Sequence, residues 1–419
     1  MGKTRNRWLI AASAIGIHLC IGSVYAWSVY TKPLTDQLGW ELEETQFTFS
    51  LAVFILGISA AFLGHFLEKR GPKISGVLAA VFFGIGILGS GVAVILESVV
   101  ALYLFYGLFG GIGLGLGYIA PVSTLIKWFP DKPGLATGLA VMGFGFAALI
   151  SSPVIVYLIS KVGIANTFLI TGSFYFVIML LSSLYLALPP EASAKKDTSE
   201  AKNSDHQLIE MTAGEAVKTR RFWFLWSMFF INICCGIAII SAASPMAQEY
   251  TGMTAVAAAT MVGIMGLFNG AGRIGWASLS DRIGRPAVFA AFFFIQIVAF
   301  LLLPNITNDL LFQVLIFLIL SCYGGGFATM PAFVKDLFGT RQLGIIFGYV
   351  LTAWAAAGMV GPLFAAWTRS VTSSYNGTLY IFAGLLAVAV FLSILMKREL
   401  KSVKGEKVTA LKKKEEPVV

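Results

Sequence analysis

The stretch "LFNGAGRIGWASLSDRIGR", residues 267–285, decides how this chain is read. Its first part continues an apolar run, yet it carries Asn269 and, one helical turn later, Arg273. Its second part is a dense polar turn of Asp281, Arg282, Gly284 and Arg285. A turn of the same kind stands about 210 residues earlier, at the repeat spacing of a duplicated unit. "GHFLEKRGPK" at 64–73 and "ASLSDRIGRP" at 277–286 each set an acid, a base, then Gly and a further base. "GYIAPVSTLIKWF" (117–129) likewise parallels "GFATMPAFVKDLF" (326–338), with Pro121 against Pro331. Gly134 and Gly138 then match Gly344 and Gly348, so the chain reads as two copies of one design.

Composition says where that design lives. Of 419 residues, 57% are apolar and only 12% charged, against roughly 25% charged in soluble proteins. Mean hydropathy is +0.82. The apolar runs are continuous rather than alternating, which excludes a β-barrel and requires helices to satisfy the backbone in lipid. Twelve spans are expected, near 8–30, 45–67, 74–96, 99–126, 135–160, 166–188, 222–248, 254–279, 287–303, 310–333, 344–368 and 376–396. Each approaches or exceeds the ~20 residues that cross a bilayer. The first is too long and bulky for a cleavable leader. The polar stretch 189–221 divides the spans six and six and reads as a mobile linker. The expected division is a bundle over 1–190, a linker over 191–221, a second bundle over 222–398 and a basic tail over 399–419.

The net charge of +9 belongs to topology, not to nucleic acid. Of 30 Lys and Arg, all but Lys32, Lys161, Arg273 and Arg369 fall on one side, which places both termini in the cytoplasm of a cell-membrane protein. The basic tail then meets anionic lipid headgroups. The four cysteines lie inside spans and suggest no disulfide framework.

Arg273 stands out because an Arg at a span centre costs roughly 2.5–3.5 kcal/mol on insertion scales. It lies about 12 Å from the polar turn at the rise of an α-helix. Snorkelling of the long side chain is the plain explanation. Against it, Asn269 shares its face, and Gly266, Gly270, Gly272 and Gly275 clear space nearby. No carboxylate lies within a span to neutralise the charge. A buried guanidinium without a partner fits an organic anion arriving from solution, bound by two parallel hydrogen bonds.

Aromatic candidates for the same cavity are Tyr25 and Trp27 in span one, Tyr118 in span four, Phe144 in span five, Tyr323 and Phe327 in span ten, and Trp354 in span eleven. Interfacial belts and packing are the alternatives for such residues. Tyr118 and Tyr323 sit mid-span beside glycine runs in similar places of the two halves, where phenol hydroxyls need partners. His18, about two turns from Tyr25, is the one group there with a near-neutral pKa and a candidate proton site; packing explains a lone His equally well. The turn charges Glu68, Lys69, Asp281, Arg282 and Arg285 read as a cytoplasmic gate or as topology alone.

No Walker motif is present, the three histidines are scattered, and intramembrane acids are missing. Neither an enzyme nor a cofactor or metal site is therefore expected. A non-transporting carboxylate sensor would want a folded output domain, which the linker and tail do not resemble.

The acid–base–glycine turns resemble the signature of the major facilitator superfamily, with Ala277 and Glu68 as departures. "NRWLIAASAIGIHLCIGSVYAWSVY", "KWFPDKPGLATG" and the Asn269–Arg273 segment resemble the oxalate:formate antiporter family, with its bacterial lactate and pyruvate carriers and its kinship to animal monocarboxylate carriers. The resemblance spans nearly the whole chain and implies a monomeric, all-α membrane protein of twelve transmembrane helices in two pseudo-symmetric six-helix bundles. It implies a substrate site between the bundles and favours Arg273, Asn269, Tyr118 and Tyr323 as its lining. Members carrying oxalate are expected to hold a second cation on span eleven. Val350 occupies the matching position here, so one cation balances one carboxylate. The expected activity is proton-coupled symport of a small monocarboxylate, with carboxylate exchange as the alternative.

Overall fold

The computed structural model describes residues 5–129, 133–189, 210–339 and 342–415, with side chains described outside 64–69, 126, 133–142 and 401–415. Every regular element among them is helical, as backbone burial in lipid demands. Eleven segments are long and apolar enough to cross a membrane. One of these, Gly143–Tyr185, turns over at Gly163 (φ 80°, ψ 172°). The bond between Ser151 and Tyr175 hydroxyls, 3.1 Å, closes its two limbs into a hairpin. Twelve passes result among the described residues.

They are α1 (Arg7–Ala26), α2 and α3 (residues 42–70 and 72–95), α4 (residues 99–128), and α5 and α6 (residues 133–162 and 164–185). After residue 209 come α7 (Arg220–Thr251), α8 (Ala255–Ile283), α9 (Arg285–Leu302), α10 (Asp309–Phe338), α11 (Leu343–Thr372) and α12 (Asn376–Glu415). The two repeated sequence turns have the same backbone. Gly71 (φ 80°, ψ 166°) ends α2 and Gly284 (φ 90°, ψ 150°) ends α8, both in a region that only glycine adopts without strain. Pro121 and Pro331 likewise sit inside α4 and α10.

Three expectations need correction. The first span is not one helix: Gly22–Ala26 tightens into a 3₁₀ turn, and the chain resumes as Ser28–Leu38. Gly22 is the reason α5 comes so close, since a Cβ there would stand 2.6 Å from the Phe144 carbonyl oxygen. The linker is not uniformly loose. Thr212 and Glu215 form a capping box on the short helix Ala213–Val217, whose Ala213 N–H donates to Gln342 Oε1 at 2.6 Å. Finally, α12 continues past residue 396 into the basic tail.

The Arg5 guanidinium donates to the Leu186 carbonyl at 3.2 Å, and Trp8 packs on Phe129, so α1, α4 and α6 share one end, the linker side. At the far side the two halves of the chain meet closely. Gln46 of α2 donates to the Ser241 carbonyl of α7 at 3.1 Å, and Ser370 donates to Glu43. Gly57 of α2 packs on Ala355 of α11, and Gly145 of α5 on Gly266 of α8. A Cβ on Gly270, Gly344 or Gly348 would meet no heavy atom within 4 Å. Among the described residues, contact is therefore tight from mid-depth to the far side.

A Cβ at Gly266 would stand 2.0 Å from the Gly145 carbonyl oxygen, too close to remain. Gly266→Val is expected to cost about 1–3 kcal/mol through overpacking. A single cysteine at Ser241, probed with an impermeant maleimide from the far side, should label several-fold faster in that background. Unchanged melting and labelling would show that the α5–α8 crossing bears no load.

Candidate functional site

Arg273 is 8% exposed, and among the described residues it forms no ion pair. Two softer contacts receive it. Its Nε donates to Asn269 Oδ1 at 3.5 Å, one turn away on α8. Its Cζ stands 5.1 Å from the centre of the Phe327 ring, a cation–π contact that contributes about 0.5–2 kcal/mol. Neither contact neutralises the charge. The helix spacing that makes them possible is set by glycine: a Cβ on Gly324 of α10 would lie 2.1 Å from the Asn269 carbonyl oxygen, and one on Gly272 of α8 would lie 2.2 Å from that of Ser321. Helices α8 and α10 thus touch backbone to backbone where Arg273 projects.

Beside it, six aromatic rings close a circle. Tyr25 meets Phe144 edge-on at 4.8 Å, Phe144 meets Tyr118 at 5.9 Å, and Tyr118 meets Trp354 at 5.6 Å. Trp354 meets Phe327 at 4.9 Å, Phe327 meets Tyr323 at 5.3 Å, and Tyr323 returns to Tyr25 at 6.4 Å. The last step is also polar, with the two phenol oxygens 3.1 Å apart. Three rings come from each half of the chain, so the circle straddles the seam. The edge-to-face geometry is the arrangement that ring quadrupoles favour. At its edge, Tyr25, Asn269 and Gly266 line a void of about 10 Å³.

His18 is fully buried and joins the circle from α1. Its ring stacks on Tyr118 with 5.7 Å between centres, and its Nε2 lies 3.2 Å from the Tyr118 carbonyl oxygen. A carbonyl only accepts, so Nε2 carries the hydrogen there. Val350 is buried one turn from Trp354 on α11 and brings no charge. Tyr118 and Tyr323 are not equivalents of one another. Tyr118 stands three residues before Pro121 and Tyr323 eight before Pro331, so the halves reach the circle at different depths.

Some sequence candidates lie elsewhere. Trp27 is turned away from the circle into the N-terminal half, with its ring 4.5 Å from Tyr106 and 6.4 Å from Phe49. Two residues apart, Tyr25 and Trp27 project to different sides, as residues at that spacing do on a helix. Of the turn charges, the side chains of Glu68 and Lys69 lie outside the described residues. Arg282 is exposed, and among the described residues it makes no ion pair. Arg285 bridges Asp281 at 2.6 Å and reaches Asp336, at the end of α10, at 3.4 Å. Asp336 was not legible, because nothing local connects it to a turn 51 residues away. At the far side, Arg369 pairs with Glu249 at 2.9 Å beside a recess of about 850 Å³.

A charged group with no ion pair among the described residues, inside a seam between two repeated helix bundles, is the arrangement of a membrane transporter. The family model for the Major Facilitator Superfamily matches residues 12–362, with an overlapping match at 235–417, and the chain belongs to that superfamily. It is 31% identical to the oxalate:formate antiporter of Oxalobacter formigenes over 86% of this chain and 84% of that protein. It is 23% identical to apicoplast pyruvate carrier 1 of Toxoplasma gondii, covering 93% and 89% of the two chains. Monocarboxylate transporter 14 of Mus musculus is 22% identical, covering 93% and 90%. In fold it is similar to a bacterial homolog of the human lysosomal transporter Spinster, with a TM-score of 0.71 at 14% identity over 94% of this chain and 97% of that one.

The Tyr25–Tyr323 bond crosses the seam and is open to a double-mutant cycle. Tyr25→Phe and Tyr323→Phe are each expected to lower stability, and the double variant to lose less than their sum by about 0.5–1.5 kcal/mol. Thermal unfolding in one detergent provides the measurement. Strict additivity would mean that the two hydroxyls do not bond.

Proposed function

We propose that this chain is a secondary transporter of a small monocarboxylate, lactate- or pyruvate-like, moved with a proton across the cell membrane. The observation that carries the reading is the Arg273 guanidinium, buried without an ion pair among the described residues. A carboxylate supplies the missing charge and matches the guanidinium fork. A single cation calls for a single carboxylate, and Val350 adds no second one. Asn269, Tyr118 and Tyr323 meet the rest of a short acid, with Phe144 and Phe327 as apolar walls and Tyr25 and Trp354 beside them. The names of the pyruvate carrier and the monocarboxylate transporter among the relatives agree with this class.

Both termini and the linker lie in the cytoplasm on this reading, by the bias of Lys and Arg. The far side is then the outer face. The Arg285–Asp281–Asp336 cluster ties the cytoplasmic ends of α8, α9 and α10 within one bundle as it moves. His18, stacked on Tyr118, is the proton site that the geometry offers, and protonation of the bound carboxylate is the other route. The protein works as a monomer, with membrane lipid at its surface.

Exchange of one acid for another is the second reading, favoured by Arg273 itself. An empty carrier must carry an unneutralised charge through the closed state, which costs more than carrying a neutralised pair. The antiporter among the relatives points the same way.

Two measurements test the proposal. Arg273→Lys should lower uptake of labelled lactate or pyruvate at least about tenfold, through loss of one charge-assisted hydrogen bond, with expression and melting retained. Wild-type uptake in that variant would return Arg273 to snorkelling. Liposomes free of internal acid should accumulate substrate when an inward proton gradient is imposed. Uptake seen only after preloading with unlabelled acid would favour exchange instead.

A further inference from the structure

Five indoles illustrate how this protein treats a Trp N–H. Those of Trp128, Trp223, Trp226 and Trp276 each donate to an oxygen at 2.6 to 3.3 Å. The fifth, Trp354, is 1% exposed, and its Nε1 has no acceptor among the described residues. Trp27 shares that lack but lies away from the circle. An N–H buried in an apolar interior without an acceptor is unfavourable, so the four satisfied indoles are the expected state. Trp27 and Trp354 are the exceptions, and of the two only Trp354 sits in the circle beside Arg273.

We infer that the Trp354 indole N–H reads an oxygen on the carbon next to the substrate's carboxylate, so that the site takes acids oxygenated at carbon 2 in preference to plain short-chain acids. The inference rests on the reading of Arg273 as the carboxylate anchor. Neither ring packed against Trp354 supplies its N–H with an acceptor. Phe327 has no lone pair to offer, and Tyr118 meets the indole ring against ring, 5.6 Å between centres. Both Arg273 and Trp354 contact Phe327, at 5.1 and 4.9 Å from its centre. No more than the sum of those distances separates the two groups. A carboxylate on one side and an oxygen on the adjacent carbon bridge that span with one hydrogen bond at each end. The Tyr25–Tyr323 pair adds to the same imbalance. One hydroxyl donates to the other, which leaves one phenol hydrogen to give. The site therefore presents more donors than it can pair, and a ligand with a second acceptor oxygen answers them. Propionate, with the same carbon skeleton but no such oxygen, leaves the indole N–H as it is. Discrimination then arises from a polar group left unpaired rather than from size.

The test compares pyruvate and propionate as competitors of labelled lactate uptake in liposomes. Wild-type protein should bind pyruvate about tenfold more tightly than propionate, the effect of one hydrogen bond to a buried donor. Trp354→Phe keeps a ring and removes the N–H. Its inhibition constant for pyruvate should rise about fivefold to tenfold while that for propionate stays the same. Equal rises for both acids would assign Trp354 to packing and overturn the inference. So would equal affinities in the wild-type protein, a result that needs no variant to fold. Failure of every monocarboxylate to be carried or to compete in the wild type would instead sink the reading of Arg273, and this inference with it.

Discussion

A guanidinium held inside a membrane protein without a counter-charge constrains everything around it. Desolvating Arg273 is unfavourable, and the protein offsets only part of that with a ring face and a side-chain carbonyl. What remains is a standing attraction for an anion. Beside the charge stands the circle of six rings, joined to it through Phe327. The circle in turn requires α8 and α10 to approach backbone to backbone, which is why Gly272 and Gly324 have no side chain. Sequence, packing and chemistry are linked here through one charge.

The same circle couples that charge to motion. Its members divide evenly between the two halves of the chain, so the halves cannot part at this depth without breaking the Tyr25–Tyr323 bond and the Tyr118–Trp354 contact. Arg273 borders the seam directly through its contact with Phe327. The far side is held by contacts of a different kind, close glycine packing and the Gln46–Ser241 bond. Small-residue seams are the sort that slide, since they carry no interlocking side chains to unpick. By contrast, the partly exposed ion pairs at the helix ends contribute about 0–1 kcal/mol each. They orient helix ends more than they hold the fold.

Much of this was written in local pattern. Unbroken apolar runs dictated transmembrane helices, because lipid offers the backbone no other partner. The duplicated turns announced the two-fold design, and Gly71 and Gly284 bear it out with nearly the same backbone angles. Arg273 and Asn269 were conspicuous as polar residues one turn apart in an apolar run. The capping box at Thr212 and Glu215 was also there to be read, although the surrounding charge made the whole segment look loose. Depth is harder to read. Tyr25 and Trp27 are two residues apart and equally aromatic, so they project to different sides, but which of them meets the seam depends on how the helix is rotated against its neighbours.

By itself, then, the sequence determined that the chain crosses a membrane as a duplicated set of helices and that one of them carries a misplaced charge. Those are statements about composition, periodicity and spacing, and they hold whatever the helices touch. Tertiary structure alone decided which rings surround the charge. Membership of the circle depends on how five helices rotate against one another, a matter of contacts between residues as far apart in sequence as Tyr25 and Tyr323. It alone also showed that the Trp354 N–H lacks an acceptor among the described residues while four other indoles have theirs. A tryptophan in a sequence does not reveal whether its hydrogen is already given away.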